Sequence, residues 1–377
     1  MDVLTLGLFG GVLVMLGIAT AVVRYLKRRT DLGLDPAIIE TFRLRVWAWW
    51  LLFAPLAGAL LAGPMLSILL FLMISFWALR EFITLTPTRP ADHRALFWVF
   101  FICTPLQYVF LMLAGREWFE RPLNITAYDI YSIFIPVYAF LLIPARIAFS
   151  GDSKRFLERT AKIQAGLLIC VYCLSYAPAL LTLELPPEET PAIQPAIGTD
   201  EGEVAEVPPA YEEESVSEMI QIENLAEAAQ AEINLPHQAV GRKRRLLFFF
   251  VLIVQLADAC QYLWSQIPSR HPIVPSISPA RTWEGLLGSA ATVTLIGAAL
   301  SGVTPFAHWW QAAFASFVVS LTAFGGGLTM SAIKRDRGVK DYGTLIEGHG
   351  GVLDRIDSLC FSAPVFFHLT YFFVNWG

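Results

Sequence analysis

The chain has 377 residues, of which 55% are hydrophobic and only 16% charged, a composition that excludes an ordinary water-soluble domain. Its net charge of −5 conceals a division: of 32 acidic residues, fourteen lie between Glu184 and Glu232, where there is no Lys or Arg. The remainder carries 27 basic against 18 acidic residues, which suits lipid headgroups and anionic phosphate substrates and gives no sign of a nucleic-acid partner. The tendency of Lys and Arg to gather on the cytoplasmic side of a membrane accounts for much of that excess by itself.

Long apolar runs predict an all-α polytopic membrane protein with about nine to ten transmembrane helices. In chain order the candidate spans are 3–24, 46–62, 64–80, 96–114, 129–147, 163–183, 246–264, 284–303, 308–330 and 356–375. The first runs into Lys27-Arg28-Arg29 and reads as a retained helix with no cleavable signal peptide. Pro64 after Gly63 makes the second and third a tight hairpin. Trp47, Trp49, Trp50, Trp309 and Trp310 lie near span ends, where amphipathic rings anchor in the headgroup layer. Cys170 and Cys173 have the spacing of a metal or redox pair, but they stand inside a span with no second pair, and all five cysteines read as small buried hydrophobes. The stretch 184–241 is rich in Pro, Glu and Ala and nearly free of aromatics, so it reads as an acidic, disordered insert. It separates N-terminal membrane helices (1–183) from C-terminal membrane helices (242–377). With ten spans, Lys27–Arg29, Arg43–Arg45, Lys154–Lys162 and Lys334–Lys340 share one side, while Arg242–Arg245 and the insert fall on the other; a miscounted or a re-entrant span would remove that conflict with the charge rule.

Three stretches carry chemistry. Asp258 lies late in the span 246–264, where a carboxylate at a helix centre costs ~2.5–3.5 kcal/mol, so it either faces a polar cavity or makes a packing hydrogen bond. In Ser276–Gly285, Pro279 disfavours helix at Ser278, and a helix begins near Thr282 as N-cap with Glu284 in its first turn. Arg281 beside such a helix start is suited to grip phosphate. The densest stretch, 331–357, holds five basic residues, five acidic ones, five glycines and a histidine between two apolar segments. Lys334, Arg335, Arg337 and Lys340 supply cations; Asp341, Asp354 and Asp357 supply the hard oxygens that Mg²⁺ requires. Asp354 and Asp357, three apart at a span start, share one helix face. Gly348, Gly350 and Gly351 would let backbone N–H groups approach a polyphosphate.

These residues resemble the signature of the phosphatidate cytidylyltransferases, also called CDP-diacylglycerol synthases. Ser331, Lys334, Arg335, Lys340, Asp341, Gly343, Gly348, His349, Gly350, Gly351, Asp354, Arg355 and Asp357 fall on it in register. Ser278-Pro279, Thr282, Glu284 and Gly285 resemble the family's second motif, and Asp258 with Tyr262 its preceding acidic helix. The likeness covers 246–377 well and the earlier spans only in general character. Glu347 stands where the family usually has Pro, and Arg281 replaces a common Lys. Two acids that many bacterial members carry just ahead of the Lys-Arg pair are here Gly327 and Met330.

The resemblance implies transfer of a cytidylyl group from CTP to phosphatidate, giving CDP-diacylglycerol and pyrophosphate with Mg²⁺ as cofactor. It implies Asp354 as the principal metal ligand, with Asp357, Asp341 and Asp258 as further ligands or their support. Lys334, Arg335, Lys340, Arg281 and Arg355 would bind the phosphates, and His349 would orient one or protonate the departing pyrophosphate. Ser278, Thr282, Glu284, Ser331, Gly350 and Gly351 would complete the substrate site. The expected setting is a bacterial inner membrane with the site facing the cytoplasm, and a homodimer is compatible with it. Two other readings stand beside this one: a CTP-dependent enzyme of another lipid, such as a polyprenol kinase or another lipid-phosphate cytidylyltransferase, and a non-catalytic lipid-binding paralogue.

Overall fold

A computed structural model of the chain describes residues 3–28, 36–85, 88–114, 127–185, 240–267, 271–343 and 350–376. Gly348, His349 and nearly all of the predicted acidic insert lie outside the described residues. The long helices are α1 (Val3–Arg28), α2 (Pro36–Ala62), α3 (Pro64–Thr84), α4 (Pro90–Ala114), α5 (Tyr128–Ala148), α6 (Phe156–Ala179) and α7 (Val240–Trp264). After α7 come two short strands, β1 (Pro272–Val274) and β2 (Ser278–Thr282), and then α8 (Trp283–Ala299), α9 (Trp309–Asp336) and α10 (Leu353–Trp376).

Each predicted span falls on one of these helices. Eight are long and apolar enough to cross a membrane, while the apolar part of α2 is only Trp49–Ala62 and α8 has 17 residues. At 1.5 Å per residue α8 rises about 25 Å, a little less than a ~30 Å hydrocarbon core. Gly63, at φ 136°, turns the chain between α2 and α3, and Pro64 opens α3 where its missing N–H costs no helix bond. The β1–β2 hairpin, an antiparallel pair with Pro272 opposite Thr282 and Val274 opposite Ser278, lies where sequence predicts no strands.

Contacts between helix ends support the ten-span arrangement. Arg245, at the start of α7, donates to Thr5 at the start of α1 (Nη1–Oγ1 3.4 Å), and Phe248 packs on Phe9. Arg337, at the end of α9, lies 3.9 Å from Glu158 at the start of α6. Lys154–Lys162 and Lys334–Lys340 therefore share one end of the bundle, and Arg242–Arg245 lies at the other. The helix ends alternate as ten crossings require, and Arg242–Arg245 stays at the end opposite the other basic segments.

Three N-terminal spans widen into π-helical turns at Val99–Cys103, Phe134–Ala139 and Leu168–Cys173. Pro136 lies inside one and Pro105 just beyond another, each removing a ladder donor. Thr104 Oγ1 satisfies the Val99 carbonyl at 2.8 Å. Polar residues nearby bond one another: Gln107 Nε2 donates to the Tyr131 carbonyl at 3.2 Å, and the Tyr131 and Ser175 hydroxyls are 2.8 Å apart. The five cysteines are free, and Cys103, Cys170 and Cys360 are buried, in keeping with a packing role.

At the end of the bundle that carries Lys154–Lys162, a charge cluster fixes the loops. Buried Arg159 forks onto Asp92 (Nη2–Oδ1 2.6 Å, Nε–Oδ1 2.9 Å) and also donates to the carbonyls of Asp152 and Lys154. The Lys154 N–H, with Arg89 and Arg159 close by, holds the Asp152 carboxyl below its ordinary range. Removing one partner of a buried ion pair leaves the other charge uncompensated. Asp92→Ala should therefore lower the melting temperature in detergent by several degrees, and adding Arg159→Ala should lower it little further. Additive losses in a thermal-unfolding series would rule this coupling out.

Candidate active site

The N-terminus of α8 is built as the sequence suggests. Thr282 is extended (φ −118°, ψ 160°) and its hydroxyl accepts the Gly285 N–H at 3.0 Å, a side-chain cap on the first turn. Glu284 turns away to the hairpin base, where it accepts from the His271 backbone N–H (3.1 Å) and pairs with the ring Nδ1 (2.5 Å). Thr282 and Glu284 thus hold the β1–β2 hairpin onto α8. The hairpin tip is tied in turn by Arg335, whose Nε donates to the Ile277 carbonyl at 3.3 Å, next to Ser278.

Arg281 points into the bundle. Its Nη1 donates to the Phe324 carbonyl (3.0 Å) and to Gln261 Oε1 (3.3 Å), and the guanidinium lies over the Phe324 ring. A Cβ on Gly327 would lie 1.9 Å from Arg281 Nη2, so the guanidinium occupies the space that a side chain at 327 would fill. Met330, the other position where an acid is missing, is fully buried, and its carbonyl accepts from the Tyr342 hydroxyl at 3.0 Å. Here an arginine and a tyrosine occupy the places around the two absent acids.

Asp354 organises the signature loop. Its Oδ1 accepts from Lys334 Nζ at 2.8 Å; its Oδ2 accepts from the backbone N–H groups of Tyr342 (2.8 Å) and Gly351 (2.9 Å). The Lys334 ammonium also faces the Tyr342 ring, which stacks on Phe82 of α3. Glu81 of α3 then takes the next two amides, Val352 N–H at 3.0 Å and Leu353 N–H at 2.8 Å. Three consecutive N–H groups at the start of α10 are consequently bonded to protein carboxylates. That differs from the expectation that the glycines present these amides to a polyphosphate. Gly351 is needed for another reason, since a Cβ there would lie 2.2 Å from Glu81 Oε2. Gly350 adopts φ 79°, a conformation that favours glycine, beside Asp341 and Asp354.

Asp258 and Asp357 meet at Ser358. The Ser358 hydroxyl donates to Asp258 Oδ1 (2.9 Å), and its backbone N–H donates to Asp357 Oδ1 (2.8 Å). Hydrogen bonds among the described residues engage only Oδ1 of each. Two adjacent carboxylates in a spanning bundle repel unless a cation or a proton intervenes, and their hard oxygens are the donor type that Mg²⁺ takes. Among the described residues no cluster of three or more His, Cys, Asp or Glu could hold a metal by itself, so any cation here would draw the rest of its ligands from substrate or water. Lys340 and Asp341 are exposed at the mouth of the loop, and the Ser331 hydroxyl is returned to the Gly327 carbonyl at 2.7 Å. Arg355 is partly buried in the first turn of α10.

Residues 43–373 match the sequence model of the cytidylyltransferase family. The chain belongs to that family. Its members are nucleotidyltransferases, and this chain is accordingly an enzyme of the membrane. The uncharacterized protein YnbB of Escherichia coli is 30% identical over 329 residues, 87% of this chain and 86% of its own length. Phosphatidate cytidylyltransferases of Mycobacterium leprae and Haemophilus influenzae are 40% and 38% identical over 134 residues. Those alignments cover 34% of this chain and 40% and 46% of the two relatives, less than half of either.

Sequence reasoning missed Glu81, Tyr342, Gln261 and Ser358. For Glu81 a signal existed: it and Arg80 are the only charged residues of α3, and an acid within a span usually has a task. The close approach at Gly327 gives a direct test of the Arg281 arrangement. Gly327→Ala should displace the guanidinium and reduce activity about tenfold, as should Arg281→Ala, while the double variant should be little worse than either. Multiplied losses in the double variant would show that the two positions act independently.

Proposed function

We propose that the protein is a phosphatidate cytidylyltransferase, converting CTP and phosphatidate to CDP-diacylglycerol and pyrophosphate. The observation that carries this reading is the convergence of Lys334, Asp354, Asp357, Asp258 and Arg281 from α7, the hairpin, α9 and α10 at one membrane end. A site at that depth is reached by a lipid headgroup and by a soluble nucleotide alike. The partial matches to phosphatidate cytidylyltransferases support the same substrate class.

The chemistry asks little of a general base. An oxygen of the lipid phosphate, already anionic at neutral pH, forms a bond to the α-phosphorus of CTP. The bond from that phosphorus to the bridging oxygen breaks, and the electron pair leaves with pyrophosphate. Positioning and charge neutralisation are then the main catalytic demands. Bound Mg²⁺ would neutralise phosphate charge and align the triphosphate. Asp258 and Asp357 would hold it together with ligands from substrate or water, while Asp354, bonded to Lys334 and two backbone amides, and exposed Asp341 would support the site around that pair. Lys334, Arg281 and Arg355 would bind phosphate, and exposed Arg335 and Lys340 would receive the triphosphate from solution. His349 is proposed to protonate the departing pyrophosphate. The basic segments at the site end of the bundle favour a cytoplasmic orientation, in a bacterial inner membrane.

Purified protein with labelled CTP and Mg²⁺ should form a lipid-linked CDP product from phosphatidate. A product only from a prenyl phosphate, offered separately, would overturn the substrate assignment. Asp354→Asn should reduce transfer at least about 100-fold while the protein still inserts and remains folded. Near-normal turnover by that variant would remove Asp354 from the mechanism.

A further inference from the structure

We infer that Glu81, on a helix far from the signature in sequence, is a positioning residue for this reaction; the inference rests on the cytidylyltransferase reading above. Glu81 is 4% exposed, and both of its carboxylate oxygens are used: Oε1 accepts from Val352 N–H (3.0 Å) and Oε2 from Leu353 N–H (2.8 Å). These amides open α10, whose first turn carries Asp354 and Asp357. Glycines make room on either side of the carboxylate. A Cβ at Gly343 would lie 2.9 Å from Oε1, and one at Gly351 would lie 2.2 Å from Oε2. The loop backbone is therefore pressed against Glu81 from two directions.

The consequence for Asp354 is geometric. Gly351 N–H, which Asp354 accepts, immediately precedes the two amides that Glu81 accepts. Glu81 sets where residues 351–353 lie, and Asp354 can close onto Gly351 and Tyr342 only if they lie there. The negative charge also sits at the positive end of the α10 dipole, where it is favourable. Glu81 touches neither reacting group in this arrangement. It acts through the loop, as residues that orient metal or phosphate ligands do, and losing such support typically costs 10- to 100-fold in activity.

Three variants of the full-length protein in lipid nanodiscs test this. Glu81→Gln replaces one acceptor oxygen by an NH₂ group facing a backbone N–H, and Glu81→Ala removes both acceptors. Glu81→Asp keeps the charge on a shorter arm. Hydrogen–deuterium exchange of residues 350–356 should rise in Gln and Ala, and rise less in Asp. In turnover with CTP and phosphatidate, kcat should fall about 10- to 100-fold in Gln with KM for CTP changed less than about threefold, and Asp should recover part of the loss. Unchanged exchange in Gln, or a loss confined to KM, would overturn the inference. Should Gln and Ala fail to fold, Asp with wild-type exchange and wild-type kcat would overturn it equally. If the wild-type protein transfers no cytidylyl group to any lipid phosphate, the proposed function fails. Raised exchange at 350–356 would then still support Glu81 as the residue that holds the loop, and unchanged exchange would refute that too.

Discussion

Four backbone N–H groups and two carboxylates hold the site together. Asp354 takes the amides of Tyr342 and Gly351, and Glu81 takes those of Val352 and Leu353. The first turn of a helix leaves donors without intrahelical partners, and in a bilayer there is little water to serve them. The bundle meets that demand with side chains from both halves of the chain. Glu81 belongs to the third helix and Asp354 to the tenth, so the N-terminal spans are part of the site's framework as well as its membrane support.

The same constraint explains how the cations are arranged. Lys334 pairs with Asp354, and Arg281 is seated on Gln261, the Phe324 carbonyl and the Phe324 ring. Neither charge dangles in an open cleft. For a protein that must bind a triphosphate, fixed cations lower the reorganisation needed when the substrate arrives. The hairpin serves this end by delivering Arg281 at the last step before α8, with Thr282 as cap and Glu284 clasping His271. The three motif residues Arg281, Thr282 and Glu284 thus divide between a charge aimed inward and two clamps that aim it.

The ten helices were legible because long apolar runs have one stable solution in lipid, and even the α8 N-cap could be read from Thr282 and Glu284. The pairing of Asp258 with the α10 carboxylates was half legible. Each acid stands out in a span, but Ser358, which joins Asp258 to Asp357, looks like any small helix residue. Glu81 was harder still, since an acid beside Arg80 near a span end resembles an ordinary interfacial charge. The hairpin was invisible because its strands are short and carry prolines, with no alternation to reveal them. The glycines were read as openings for phosphate, a role that sequence cannot distinguish from room for a buried carboxylate; at Gly351 the second role is the one the fold uses.

The chain's departures at 327 and 330 follow from the same packing. A side chain added at 327 would meet the Arg281 guanidinium at 1.9 Å, so that guanidinium would have to leave its present place. With a smaller or differently directed cation at 281, room for an acid at 327 would appear. With arginine in its present place, only glycine leaves the guanidinium where it is. Met330 follows a parallel logic, since its fully buried side chain underlies Tyr342, whose hydroxyl reaches the Met330 carbonyl and whose ring faces Lys334. An acid at 330 would bury a charge under the Tyr342 ring, where Met330 now packs against the Tyr342 hydroxyl. Losing both acids therefore shifts the site toward a fixed arginine facing fewer carboxylates, which lowers its negative charge before any anionic substrate binds.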